Sequence, residues 1–160
     1  MEPLPDVATL VALYNQINNY GHTNGMRLTV QSPGEVEYSM LVRDEHLSSP
    51  GTCHGGVLAG LMDAVLGAAA LSLAFTVGEL VSTVEFKINY LHPVRLHDQL
   101  LARAWVEHTG KTLLVSSATI ECPGRAGGLV VARGMGTFNR YPADKRDFHR
   151  LLFPDAEPQD

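Results

Sequence analysis

The sequence predicts an α+β domain in which a curved antiparallel β-sheet wraps a long central helix, with a further helix at the N-terminus. Three observations carry that expectation. The run GGVLAGLMDAVLGAAALSLAFTVG, from Gly55 to Gly78, holds a single charged residue, Asp63. Downstream of it the period changes from helical to two, with Val84, Phe86, Ile88 and Tyr90 alternating with Thr83, Glu85, Lys87 and Asn89. Turn signals at Pro93, Gly110, Pro123-Gly124 and Gly127-Gly128 then cut the rest into strand-length pieces. A helix apolar on every side must be covered widely, and a curved sheet is the layer that can do so.

Taken in order, Asp6 is placed to cap a first helix carrying Leu10, Leu13, Tyr14 and Ile17 at helical spacing, with Gly21 just past its end. Residues 26–32 and 35–43 read as two strands joined at Pro33-Gly34. A loop from Asp44 to Cys53, containing Pro50-Gly51, leads into His54-Gly55-Gly56 and the long apolar helix. The alternating strand that follows closes at Pro93. Strands over 98–108 and 111–122 join at His108-Thr109-Gly110-Lys111, and 129–139 forms the last strand, with meander or hairpin connections throughout. The polar tail, about 142–160, carries Pro154 and Pro158 and is expected to fray. Open sheet edges favour dimerisation.

Length and composition bound the function. At 160 residues one domain, 1–160, is the expectation, and 45% hydrophobic against 18% charged residues gives it a sizeable core. A net charge of −5 with scattered basic residues argues against a nucleic-acid partner. Two cysteines, Cys53 and Cys122, make no disulfide framework, and the N-terminus lacks the charged and apolar regions of a signal peptide; both point to the cytoplasm. The run from Gly55 to Gly78 is long enough to span a membrane. It lacks flanking Lys or Arg anchors, and the rest of the chain reads as amphipathic strands, so a buried core helix and no membrane partner are expected.

Two features carry chemistry. A lone carboxylate amid apolar residues is costly to bury, so Asp63 either faces a solvent channel, bonds a neighbouring strand, or serves as general base or nucleophile. Two glycines at a helix start lower helix propensity. Gly55 and Gly56 after His54 therefore suit either a turn with unusual dihedrals or bare N–H groups aimed, with the helix dipole, at a developing oxyanion. Eight residues of helix separate Gly55 from Asp63 by roughly 12 Å. A base must lie about 3 Å from its water, so the two groups can share a site only across a two-fold axis between antiparallel helices of two subunits.

CHGGVLAGLMDAVLGAAAL, then STVEFKINYLHPV and GLVVARGMGTF, together resemble the PaaI-type branch of the hotdog-fold acyl-CoA thioesterases, over a core of about residues 25–140. That family's His-Gly-Gly with an acid nine residues after the His is matched by His54, Gly55, Gly56 and Asp63, and its later strand and proline by Asn89-Tyr90-Leu91-His92-Pro93. The resemblance implies a hotdog fold and hydrolysis of an acyl-CoA to free acid and CoA. Asp63 would activate water or attack the thioester, and the Gly55 N–H would receive the thioester oxygen. Thr83 stands where relatives place a hydroxyl that holds the attacking water. Tyr90, His92, Pro93 and Arg95, with the turn Gly110-Lys111-Thr112, match segments that contact coenzyme A. No cofactor is implied, since CoA belongs to the substrate; a homodimer, pairing into a homotetramer, is. One position departs from the pattern: many relatives have Asn six residues before the His, and here it is Ser48, a shorter donor without the amide's paired geometry.

Other candidates are weaker. No histidine pair has chelating spacing, so no metal site is expected. Cys53 lacks an identifiable base and reads as a core residue. Gly134-Met135-Gly136 lies within a strand, where glycine permits close packing, and Ser72 lacks a nucleophile-elbow context. An oxyanion donor contributes roughly 2.7–4 kcal/mol. A positioned base adds a factor of about 10²–10⁴ in rate, enough together for an activated thioester without a metal. The rivals are a hotdog dehydratase or hydratase, which needs a catalytic His, and a non-catalytic acyl-CoA-binding module, for which Ser48 is the main argument.

Overall fold

A computed structural model describes residues 6–143; the polar tail beyond Ala143 lies outside the described residues. Helix α1 (Val7–Ile17) starts where Asp6 Oδ1 accepts the Thr9 N–H at 2.8 Å. It ends earlier than expected. Asn18 closes α1 and opens a short helix α2 (Asn19–Asn24), which buries Gly21 and stops at Gly25 in the left-handed conformation (φ 66°). The capping glycine is thus Gly25, not Gly21.

The strands follow: β1 (Arg27–Ser32), β2 (Glu35–Leu41), a small ribbon of β3 (Leu47–Ser49) and β4 (Thr52–Cys53), then the central helix α3 (Gly55–Ala74). After a final 3-10 turn and Gly78 come β5 (Glu79–Tyr90), β6 (Gln99–Thr109), β7 (Leu113–Cys122) and β8 (Leu129–Pro142). Six strands form one antiparallel sheet in the order β1-β2-β6-β7-β8-β5. The expected α+β wrap around a central helix is therefore present, with one correction to the connections. β5 does not hairpin into β6 but lies at the far edge beside β8, so residues 91–98 cross over the end of the sheet.

Helix α3 fills the concave face. Leu61, Met62, Val65, Leu66 and Ala69 are fully buried against Val36 and Met40 of β2, Leu100 and Ala102 of β6, Leu114 and Ile120 of β7, and Ala132 of β8. Each fully buried large side chain contributes about 1.5–3 kcal/mol. By length and composition Gly55–Val77 could cross a bilayer, but over half of it is buried beneath the sheet. Close approach depends on glycine, as the sequence suggested: a Cβ on Gly134 would stand 2.6 Å from Met62 Sδ and 2.7 Å from the Lys87 carbonyl oxygen.

The two sheet edges differ. On β1, the Asn15 side chain from α1 both donates to the Leu28 carbonyl (3.1 Å) and accepts the Leu28 N–H (3.2 Å), occupying the outer edge as a strand would. β5, twice as long, has no neighbour on its outer side among the described residues. It also carries a bulge. Thr83 pairs with Phe138 and Glu85 with Thr137, so Val84 is the extra residue. Strict alternation placed Val84 inward and Thr83 outward; instead Val84 is 58% exposed, and Thr83 shares the helix-facing register of Phe138.

Candidate active site

Asp63 sits midway along α3, half-buried, and its Oδ1 accepts a hydrogen bond from Thr83 Oγ1 at 3.0 Å. The bulge makes this bond possible: without the extra Val84, Thr83 would share the outward face of Glu85 and Lys87. The carboxylate thus does bond a neighbouring strand, and it also opens onto a cavity of about 250 Å³. Tyr14, Gly67, Leu71, Thr83, Phe138 and Tyr141 are among the lining residues. Gly67 leaves room for the Phe138 ring, 3.3 Å from where a Cβ would stand. Burial pushes the Tyr14 phenol above its usual range, and the Asp63 charge adds to the shift. Tyr38, shifted the same way by burial, lies 1% exposed, and its hydroxyl forms no hydrogen bond of good geometry among the described residues.

A second cavity, about 310 Å³, opens at the N-terminus of α3 and is lined by Thr52, Cys53, Gly55, Leu58 and residues 90–94. His54 is the N-cap: its Nδ1 accepts the Gly56 N–H at 2.8 Å. Such a cap contributes about 0.5–2 kcal/mol to the helix. It also decides which amide is free. Gly56 is committed to His54, and Val57 donates to the His54 carbonyl, whereas the Gly55 N–H makes no hydrogen bond among the described residues. Tyr90 donates its hydroxyl to the Gly55 carbonyl at 2.9 Å.

The site residues expected from sequence therefore fall into groups. Asp63 and Thr83 meet at the first cavity; Gly55, Tyr90, His92 and Pro93 meet at the second; His54 and Gly56 form the cap beside it. None of the described residues lines both cavities. Ser48 is exposed in the β3 ribbon and lines neither. Arg95 is exposed, with its N–H on Asp98 Oδ2 (2.8 Å). The turn Gly110-Lys111-Thr112 lies at the opposite end of the sheet, with its Gly110 and Thr112 carbonyls bonded to the Arg140 side chain and N–H.

Some residues escaped the sequence reading. Tyr14, Phe138 and Tyr141 shape the Asp63 cavity. Arg125 anchors the crossover by bonding the Pro93 carbonyl (2.7 Å) and pairing with Asp98 (3.5 Å). Cys53 and Cys122 are both buried, and burial beside Asp98 raises each thiol to about 11, which leaves little nucleophilic thiolate at neutral pH. Ser72 is buried and structural, its hydroxyl donating to the Ala69 carbonyl and accepting the Gly34 N–H.

Comparison with known proteins gives the family and the fold. A sequence profile described as the thioesterase superfamily matches residues 50–128. Human acyl-coenzyme A thioesterase 13 is 33% identical over 110 residues, which cover 69% of this chain and 76% of the human protein. The Escherichia coli PaaI protein from the phenylacetic acid degradation operon superposes with a TM-score of 0.73 at 26% identity, over 87% of this chain and 96% of that one. A Streptococcus pneumoniae protein described as a hypothetical thioesterase, solved with coenzyme A, shares the fold at a TM-score of 0.70 and 24% identity, over 81% and 97% of the two chains.

Proposed function

The chain belongs to the thioesterase superfamily, within its PaaI-type hotdog branch, and on that premise we propose that it hydrolyses an acyl-CoA in a site completed by a second copy of itself. It is a thioester hydrolase. In the proposed site Asp63 takes a proton from water whose oxygen bonds to the thioester carbon, and the Gly55 N–H of the other copy holds the resulting oxyanion. The C–S bond then breaks, the proton passes to the departing thiolate, and free acid and CoA leave. The same groups would serve direct attack by Asp63 through an anhydride. No cofactor is required beyond the CoA of the substrate.

The observation that carries this reading is the division of labour along α3. The carboxylate and its hydroxyl partner line one cavity, while Gly55, whose N–H makes no hydrogen bond among the described residues, lines another, roughly 12 Å of helix rise away. Antiparallel pairing of the open β5 edge with its copy would set the Tyr90 end of one strand beside the Thr83 end of the other. The same rotation would carry the Gly110–Thr112 turn toward Tyr90–Arg95, reuniting the segments expected to contact CoA. Pairing of two dimers into a tetramer, and a cytoplasmic location, complete the proposal by resemblance and cysteine count.

The test is thiol release from aromatic, short-chain and long-chain acyl-CoAs by wild type and Asp63→Asn. A folded Asp63→Asn protein slower by about a hundredfold or more supports the base role, and the preferred acyl group names the substrate class. Equal rates would remove Asp63 from the mechanism; binding without turnover by wild type would favour the acyl-CoA-binding module that Ser48 suggests.

A further inference from the structure

Tyr90 is 51% exposed, yet its hydroxyl turns back to the first turn of α3, where it donates to the Gly55 carbonyl. The helix has no need of that bond, because the groups left orphaned at a helix N-terminus are N–H donors, not carbonyls. The tyrosine ring lies 3.5 Å from the position a Gly55 Cβ would take, so ring and hydroxyl together grip this one peptide. The Gly55 carbonyl belongs to the same peptide plane as the Gly56 N–H, and that N–H donates to His54 Nδ1 at 2.8 Å. Three groups are thereby in series: phenol hydroxyl, amide, imidazole. Polarisation along such a chain strengthens each bond in it. An Nδ1 that accepts must leave the proton of neutral histidine on Nε2.

We propose that Tyr90 is a positioning residue that acts through the Gly55–Gly56 peptide to hold the exposed His54 ring in one orientation and as its Nε2–H tautomer, next to the Gly55 amide. Its kinetic consequence rests on the thioesterase reading above; its structural consequence does not. The mouth of α3 gains a fixed donor, His54 Nε2–H, on the cap beside the second cavity, and Tyr90 becomes more than a surface for CoA.

Tyr90→Phe in the full-length protein keeps the ring and removes only the hydroxyl. Two readouts are taken. Without substrate, ¹⁵N NMR of wild type should show His54 with Nε2 protonated and Nδ1 bare, and the Tyr90→Phe protein should move the Gly56 amide and pull both ring nitrogens toward exchange-averaged positions. With acyl-CoA, kcat should fall about three- to tenfold at constant KM, as loss of one neutral hydrogen bond implies, and the fall should shrink in a His54→Asn background. Unchanged Gly56 and His54 resonances would overturn the proposal whatever the kinetics. So would a raised KM with kcat intact, which would leave Tyr90 as a binding wall only. Should wild type lack turnover altogether, the hydrolytic reading fails while the resonances still decide this one.

Discussion

Gly55→Pro removes the amide hydrogen that the proposed oxyanion site depends on, and asks little else of the fold. Gly55 is the first residue of α3, the position where proline is most at home in a helix. The preceding His54 already has φ −66° and ψ 134°, inside the extended region a residue before proline must occupy. A Cβ at position 55 meets the Tyr90 ring no closer than 3.5 Å, and the N–H being lost bonds to nothing within the described residues. The melting temperature should therefore stay close to wild type. Catalysis should not: one oxyanion donor is worth about 2.7–4 kcal/mol, or roughly 10²–10³ in kcat. Gly55→Ala keeps the N–H and serves as the control, with kcat within a fewfold of wild type. The assay is thiol release with kcat and KM separated. Subunit exchange between Gly55→Pro and Asp63→Asn proteins then tests whether the site is shared. Statistical mixing makes half the dimers hybrid, each with one intact site of two, so activity should return to about a quarter of wild type. A folded Gly55→Pro enzyme with normal kcat, or mixtures that stay dead after exchange, would refute the reasoning.

Thr83→Val deletes the hydrogen bond to Asp63 while keeping a β-branched side chain; at a partly exposed charged acceptor, about 1.5 kcal/mol is expected, or roughly tenfold in kcat, and Thr83→Ser should retain most of the rate. Gly134→Ala drives a Cβ into the Lys87 carbonyl and Met62, so thermal melts should show a loss of about 1–3 kcal/mol, several degrees for a domain of this size. His46 is 2% exposed, with Nδ1 accepting the Arg43 N–H and Nε2 without a partner among the described residues, and burial, with Arg43 nearby, holds its pKa below the ordinary value. The unfolded chain therefore takes up the proton first: stability is full above about pH 6.5 and is lost as pH falls toward the folded value. Melts of wild type and His46→Asn between about pH 7.5 and about pH 5 should show the steeper loss in wild type; parallel curves would clear His46 of the effect.

The long helix was readable because its composition leaves no alternative: nothing but burial suits so many apolar residues on every face of one segment. The eight residues of helix between Gly55 and Asp63 likewise imply, from rise alone, that one chain cannot bring both groups to one carbonyl. Thr83 was nameable only through the family resemblance. Its alternation with Val84 argued that it faced away from the helix, because a bulge depends on which β8 residues pair with it, and that information lies some fifty residues downstream in Thr137 and Phe138. Tyr14 appeared as one of several apolar residues on α1; that it points at the Asp63 cavity is set by how α1 lies over the sheet. The capping role of His54 Nδ1, which reserves the free amide for Gly55, leaves no trace in spacing or polarity.

Asn15 has a meaning for how many molecules can join. A sheet with two bare rims is a monomer for polymerisation, since each addition exposes another rim. Here the amide on α1 closes one rim at Leu28 and leaves β5 as the other. Two molecules that meet along β5 bury the open rim of each six-stranded sheet, and the doubled sheet ends on both sides at the strand that Asn15 caps. Edge-to-edge growth would stop at two through a chain terminator built into the first helix, so that the rim recruiting a second copy need not also invite a third, and two such dimers would have to pair through faces rather than rims.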